Sequence, residues 1–411
     1  MRKIMILGAG VYQAPLIRQA RSRGLYTLAV SPPGNYPGLA WADQTVSLDT
    51  RNREAIVAAA RKEGVCAVAT TGTDVAMPAL GAVCDALGLP GICLETALRA
   101  TDKIRMKEAF RAGNVHTSDF RAVRTEEEAL RAAEEIGYPV MMKIPDKSGS
   151  RGITKAESPE SLREAWCFSR QATEAERLLV EGFTAGTEFG IDAVVQKGRL
   201  LAVIPHEKRV LFSGRTGVPG GHLCPADFDQ ETEERICRET ERICRALGLE
   251  DCAVNVDAML TPAGEISVIE AAARCGGTGI PEVIGGYLGV NWYDVILDLA
   301  LGIPVKLPQD VEERRRVPGG RSAASLMITS DRQGRLRDVS YEAGGVLYRN
   351  ENYDGPELSV SLNVKPGDTV NAFVNGTERL GQAVFRGKSR EEVLRREAEF
   401  LRSLKTELFP D

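Results

Sequence analysis

Residues 254–279, VNVDAMLTPAGEISVIEAAARCGGTG, leave a folding chain few options. Two runs that alternate apolar and polar residues flank Thr261–Gly264, a cluster of turn formers, and this predicts an antiparallel hairpin. Pairing Leu260 with Glu265 sets Asp257 opposite Val268, whereas a slip of two residues sets it opposite Glu270. In either register Asn255, Asp257 and Glu270 share one face, and Val256, Ala258, Leu260, Ile269 and Ala271 take the other. Carboxylates about 5 to 8 Å apart on a strand pair suit a hard cation. Mg²⁺ takes one or two carboxylates and fills its shell with phosphate oxygens and water. Arg274 follows with a fork suited to phosphate, and Gly276 and Gly277 with a backbone that a ligand can approach closely. Taken alone, the hairpin has a blander reading, a solvated acidic face.

Composition narrows the partners. The 411 residues carry a net charge of −5 and a pI near 5.6, which argues against nucleic acid or a membrane surface. The 43% hydrophobic and 27% charged content is that of a soluble globular chain with room for two to four domains. Nine cysteines without a Cys-x-x-Cys read as reduced cytoplasmic thiols, not as a disulfide framework or zinc site. His116, His206 and His222 are too scattered to suggest a metal cluster. The opening IMIL run is cut short by Gly8, Gly10, Tyr12 and Gln13, so it predicts a first strand and not a signal peptide. No other run approaches the ~20 apolar residues of a membrane span.

Residues 1–98 alternate strand and helix, with strands at Ile4–Leu7, Tyr26–Val30 and Val65–Thr70 and helices at Pro15–Arg23, Arg53–Glu63 and Val75–Leu87. This predicts an open, mostly parallel α/β sheet. Gly8-Ala9-Gly10 makes a glycine-rich first turn, but Gln13 stands where a third glycine belongs, and Ser31 with two prolines follows the second strand where an acid would hold ribose. Both features argue against NAD. The N–H groups of this turn could hold a substrate carboxylate or phosphate, or the turn could be purely structural.

From Thr101 the texture changes. TDKIRMKEAFRAG predicts an amphipathic helix capped by Thr101, with Lys103 in its first turn. A strand near Phe120–Val123, the acidic helix Glu126–Ile136 and a strand ending at Lys143 lead to a loop holding Ser148, Gly149, Ser150, Arg151 and Gly152. Such a loop can fold over polyphosphate through its N–H groups, although it lacks the GxxxxGK[ST] pattern. Helix Glu160–Arg170 and strand Arg177–Val180 run into EGFTAGTEFGIDAVV, where Glu181 begins a bend and Glu188 opens a strand. Strand Leu200–Ile204, a glycine-rich loop Ser213–His222 and helix Gln230–Leu247 follow, with Cys237, Ile243, Cys244 and Leu247 facing the core. Trp292–Leu301 is an apolar helix, VEERRR at 311–316 a charged boundary, and beyond it a β-rich module ends in helix Glu391–Leu404.

Taken together, these pieces resemble the ATP-grasp superfamily, in a layout close to the D-alanine–D-alanine ligase, biotin carboxylase and L-amino acid ligase families. The likeness spans roughly residues 1–310. It implies an α/β fold with a Rossmann-like front domain (1–98), an ATP-grasp domain (99–310) with a small lid subdomain near 118–180, and a β-rich C-terminal subdomain (311–411). By motif, Lys103 and Lys143 match the lysines that contact nucleotide phosphates, and Ser148, Gly149, Ser150 and Gly152 match the lid over them. Glu181, with Gly182 and the backbone at Phe183, stands where the family reads adenine, and Glu188 where it binds ribose. Asp257 and Glu270 match the metal-binding acids, Asn255 on the same face is a candidate third metal ligand standing in for the asparagine missing at Ala272, and Arg274 matches the arginine that steadies the transferred phosphate.

The resemblance implies an ATP-dependent carboxylate–amine ligase that uses Mg²⁺, with Mn²⁺ as a substitute, forms an acyl phosphate and releases ADP and phosphate. Gln13, Asp74, His222, Arg274, Gly276 and Gly277 are then the expected substrate contacts. Small-molecule acid and amine substrates are the expected partners, the cytoplasm the setting, and a homodimer a compatible assembly. The chain departs from the family twice: Ala272 replaces the usual asparagine metal ligand, and Asp257 is shorter than the frequent glutamate. Three other readings stand beside this one: an enzyme activating bicarbonate or formate, as in carboxylases or purine biosynthesis; an NAD-dependent oxidoreductase; and a catalytically silent nucleotide sensor.

Overall fold

The computed structural model describes residues 2–147, 152–213, 216–308, 321–374 and 378–409. The front sheet has four parallel strands, β1 (Lys3–Leu7), β2 (Tyr26–Ser31), β3 (Gln44–Ser47) and β4 (Ala67–Ala69), in the order β3-β2-β1-β4. Strands buried on both faces read as continuous apolar runs, which is why β1, β2 and β4 were legible and the short, polar β3 was not. Helices α1 (Ala14–Ser22), α2 (Arg53–Glu63), α3 (Met77–Leu87) and α4 (Leu94–Arg99) connect and follow them.

Helix α5 (Lys103–Ala112) is capped by Asp102 and not by Thr101: the Asp102 carboxylate accepts from the N–H groups of Ile104 and Arg105 at 2.8 and 3.0 Å. A carboxylate at the N-cap satisfies two orphan donors at once, and it makes Lys103 the first helical residue. The small subdomain follows: β5 (Phe120–Val123), α6 (Glu126–Ile136), β6 (Val140–Lys143), β7 (Thr154–Ala156), α7 (Pro159–Ala172) and β8 (Leu178–Gly182). Its antiparallel sheet, ordered β5-β8-β6-β7, buries Val140, Met142, Leu178 and Val180 against Ala129, Ala133, Leu162 and Ala165. Register sets Met141 beside Glu181 and Lys143 beside Leu179.

Next come β9 (Thr187–Gln196), β10 (Arg199–Ser213), β11 (Thr216–Cys224), α8 (Gln230–Leu247), β12 (Cys252–Leu260), β13 (Ile266–Ala272), α9 (Ile280–Leu288) and α10 (Trp292–Leu301). The residues read as the glycine-rich loop 213–222 are largely strand β11. Gly220 and Gly221 are there because Leu211 and the Ser325 carbonyl lie where side chains would stand. On α8 it is Ile236 that joins Ile243, Cys244 and Leu247 in the core, while Cys237 is only half-buried.

The hairpin β12–β13 follows neither simple register throughout. Leu260 pairs with Ile266 and Ala258 with Val268. A bulge between Asp257 and Ala258 then sets Asp257 opposite Glu270 and Asn255 opposite Ala272. A bulge adds one unpaired residue to one strand and bends it. Here the added residue is Ile269, which leaves the core face, and Val268 is buried in its place.

The chain packs as two compact units. Residues 1–205, 228–276 and 293–306 form the first, and 206–227, 277–292 and 307–411 the second. In the second, β11 pairs with the end of β10 and with β14 (Ser322–Thr329). The module continues through β15 (Gly334–Ala343), β16 (Val346–Arg349), β17 (Tyr353–Asp354), β18 (Leu358–Leu362), β19 (Thr369–Val370), β20 (Arg379–Gly387), α11 (Arg390–Ser403) and β21 (Lys405–Leu408). Its core gathers Leu336, Tyr341, Phe385 and Phe400. The 311–316 charge run lies outside the described residues. Among those described, no helix is long and apolar enough to cross a membrane.

Candidate active site

Two lysines one turn apart, Lys103 and Lys107, stand on the same face of α5. The first lies 3.3 Å from Glu270 Oε2 and donates to the Lys147 carbonyl at 2.7 Å. The second is almost wholly buried, 1% exposed, and points its ammonium at Glu181 Oε2 across 3.1 Å, donating also to Thr117 Oγ1. Lys143, the last residue of β6, donates to the same Glu181 oxygen at 2.8 Å, and Ser118 Oγ does so at 3.3 Å. One carboxylate oxygen thus receives two ammoniums and a hydroxyl, while Glu181 Oε1 is buried with no hydrogen-bond partner among the described residues.

Burial raises the Glu181 carboxyl, yet Lys107 and Lys143 together bring it below its ordinary value. Burial also lowers the Lys107 ammonium to about 8 against the pull of Glu181. That costs its charged form roughly 3 kcal/mol. Burial lowers the Lys103 ammonium too, but Glu270 and Asp74 more than compensate and hold it raised. Two buried cations around one anion, with an orphaned acceptor beside them, form a cluster that is electrostatically incomplete. A ligand carrying negative charge and an N–H donor would complete it.

On the hairpin, Asp257 and Glu270 are direct cross-strand partners, so their side chains share a face with Cβ atoms roughly 4.5–5.5 Å apart. Among the described residues no group of three His, Cys, Asp or Glu could hold a metal ion. What the hairpin offers is a two-carboxylate, all-oxygen donor set, which fits Mg²⁺ completed by water and phosphate and would not suit a softer metal. The Asn255 amide donates to Asp192 Oδ2 at 3.1 Å and accepts from Arg274 at 3.4 Å. Its nitrogen and its oxygen each make one such contact beside the two acids.

Arg274 is held fork to fork by Asp74, with Nε and Nη2 at 2.8 and 2.9 Å from the two carboxylate oxygens. Burial disfavours its charge, but Asp74 raises it further into the always-protonated range. The Gly72 N–H donates to the Cys275 carbonyl at 3.2 Å, so the turn after β4 is tied to the end of the hairpin. Ligands of open α/β sheets bind at the carboxyl ends of their strands, and Asp74 occupies such a place. Asp74, Lys103, Asn255, Asp257, Glu270 and Arg274 all line one cavity of about 660 Å³.

The other residues singled out by sequence have the following surroundings. Gln13 is spent on its own turn: Oε1 accepts from the Gly10 N–H at 3.0 Å and Nε2 donates to the Thr71 carbonyl. Its amide fills the space beside Gly8, where a dinucleotide pyrophosphate would have to sit. The Phe183 N–H donates to the Pro139 carbonyl at 3.1 Å, and Lys155 lies over the Phe183 ring. Gly182 donates to the Asp119 carbonyl at 2.8 Å. Glu188, the second residue of β9, lies opposite Met259 and is half-buried. Gly152 has φ +68° and rests against Ile144, where only glycine fits. Ser148, Gly149 and Ser150 lie outside the described residues.

Gly276 ends the 228–276 segment of the first unit, and Gly277 and His222 belong to the second. The left-handed backbone after the hairpin falls on Thr278 and Gly279, not on the glycine pair. His206 and His222, distant in sequence, meet edge to face with ring centroids 4.8 Å apart, and burial followed by the neighbouring His206 drives the His222 imidazole well below its usual range. Sequence reading missed Lys107, whose signal is its i+4 spacing from Lys103. It also missed Asp192, fully buried and paired in register with Asn255, whose signal is even spacing from Glu188.

Comparison with known proteins bears on these residues. The family model for the ATP-grasp domain matches residues 136–282. The chain is 26% identical over 281 residues to the alanine–anticapsin ligase of Bacillus subtilis (strain 168), covering 62% of this chain and 58% of that one. It therefore spans a little over half the length of that relative. It is 25% identical over 406 residues to the formate-dependent phosphoribosylglycinamide formyltransferase of Synechococcus sp. (strain RCC307), covering 95% and 93%. Among solved structures, phosphoribosylglycinamide synthetase from Anaerococcus prevotii superposes with a TM-score of 0.81 at 27% identity, over 99% of this chain and 100% of that one.

Proposed function

We propose, from the membership of the ATP-grasp superfamily that the domain at residues 136–282 carries, that this chain is an ATP-dependent carboxylate–amine ligase releasing ADP and phosphate. The observation that carries the proposal is the incomplete cluster at Glu181. A polyphosphate would answer the excess charge of Lys107 and Lys143, and the amino group of adenine would answer the unpartnered Oε1. Few ligands supply both.

In this reading Lys103 and Lys143 take the phosphates, the loop with Ser148, Gly149, Ser150 and Gly152 covers them, Glu181 and Gly182 face the base, and Glu188 faces the ribose. Asp257 and Glu270 would hold Mg²⁺, or Mn²⁺ in its place, braced by Asn255; the ion supplies charge neutralisation on the phosphates. Carboxylate and γ-phosphate are both anions, so their approach needs fixed positive charge aimed where negative charge develops. Arg274 supplies it, kept charged and oriented by Asp74. Gly276 lies beside it on the substrate side. Acid activated as an acyl phosphate is then open to attack by the amine.

The partners of this reaction are small-molecule acids and amines. A cytoplasmic setting is supported by nine free cysteines, and a homodimer by Val346 and Leu347, exposed on strand β16. A second reading, activation of formate or bicarbonate, is favoured by the end-to-end likeness to the formyltransferase. One screen tests both: ADP release with amino acids singly and in pairs, and with formate or bicarbonate plus amines. The first reading expects ADP and phosphate only when an acid and an amine are both present. AMP and pyrophosphate as main products would contradict it.

A further inference from the structure

Glu181 has two counter-ions where one would neutralise it, and only one of them lies on the strand that ends at the phosphate loop. Lys143 is that one. Lys107 reaches Glu181 from α5 and is fixed there by Thr117 Oγ1, with the Val268 carbonyl 3.5 Å away. We propose that Lys107 is the positioning residue for nucleotide selection: by holding Glu181 Oε2 it releases Lys143 to a polyphosphate and keeps Oε1 presented to the 6-amino group of adenine. This rests on the nucleotide reading of the site.

The argument is one of charge compensation. If Lys143 alone neutralised Glu181, drawing it toward phosphate would strand a buried carboxylate, and that penalty would be charged against every nucleotide bound. The stranded carboxylate would instead take up a proton. A protonated carboxyl donates as well as accepts, so it would no longer distinguish the amino group of adenine from the 6-carbonyl of guanine. With Lys107 in place Glu181 stays ionised, Lys107, Lys143 and Ser118 all meet Oε2, and Oε1 can only accept. Selectivity then follows from an acceptor that rejects another acceptor.

Equilibrium calorimetric titration with ADP, GDP and inorganic tripolyphosphate tests this on wild type, Lys107→Met, Lys107→Arg and the double variant Lys107→Met/Glu181→Gln, with melting curves to check folding. Methionine keeps the apolar stem and removes the charge. Lys107→Met is expected to weaken ADP and tripolyphosphate at least about tenfold and to reduce the ADP-over-GDP preference by a similar factor, while Lys107→Arg retains both. The double variant has no carboxylate for Lys143 to guard, so it should regain tripolyphosphate affinity without regaining the base preference. If Lys107→Met fails to fold, the double variant carries the test alone. Wild-type affinities and preference in folded Lys107→Met, or a wild-type base preference in the double variant, overturns the proposal. A wild-type protein that binds neither ADP nor tripolyphosphate overturns the nucleotide reading beneath it.

Discussion

Lys107 shows what a single side chain contributes once it is buried. Its ammonium is lowered to about 8, first by burial and then by Lys143, against Glu181 and Glu270, which raise it. The groups facing it are Glu181 on β8, Lys143 on β6 and Glu270 on β13. Arrival of a polyphosphate adds negative charge and draws Lys143 away, so the Lys107 pKa rises on binding. A group whose pKa is raised in the complex contributes affinity that is fully present below its free-state value and is lost as pH climbs through the bound value. ADP affinity should therefore be flat below about pH 8 and fall above it, and Lys107→Arg, whose guanidinium stays charged, should flatten the profile. Titrations between about pH 7 and about pH 9 check this, and a flat wild-type profile contradicts it. Lys103, Lys143 and Glu181 entered the sequence reading through the family resemblance, and the structure pairs Lys103 with Glu270 and Lys143 with Glu181. Lys107 was not, because a lysine in an amphipathic helix looks like a solvated one until β8 and β13 close over it.

Among the elements, the β12–β13 hairpin decides most. Alternation was enough to put Asn255, Asp257 and Glu270 on one face, since period-two patterning survives any even slip. It could not reveal the bulge, because one extra residue changes the pairing without leaving a compositional mark. The cost to the sequence reading was local: Ile269 was assigned to the core and Val268 took its place. The cap of α5 and the strand β11 were misjudged for similar reasons, with Asp102 competing beside Thr101, and glycines serving close strand contact where a turn was expected. Glu270 faces both Asp257 and Lys103, so Glu270→Gln removes a charged oxygen ligand and the lysine's counter-charge together. Turnover should fall at least about 100-fold, since even outer-shell changes at metal sites cost up to that much, and the residual rate should need more Mg²⁺. Ala272→Asn should lower the Mg²⁺ needed for half-maximal rate. Mg²⁺ titrations of ADP release check both, and an unchanged Mg²⁺ dependence in Glu270→Gln removes the hairpin as the metal site.

For the whole molecule, a chain of net charge −5 concentrates three lysines and an arginine on one buried stretch of its first unit. Net charge was silent about this local clustering, which depends on packing. The strand–helix alternation at the front and the β-rich tail were legible because each has its own periodicity, whereas the pairing of the small antiparallel sheet left no such mark. The composition of the second unit was not, since residues 206–227 and 277–292 join it from within the middle of the chain. The central claim is that the acid is activated by phosphoryl transfer, and the most direct measurement follows an oxygen atom. With the acid found by the ADP screen labelled with heavy oxygen in its carboxylate, mass spectrometry of the products should find one heavy oxygen in inorganic phosphate. Heavy oxygen in AMP, or none in phosphate, would contradict the account.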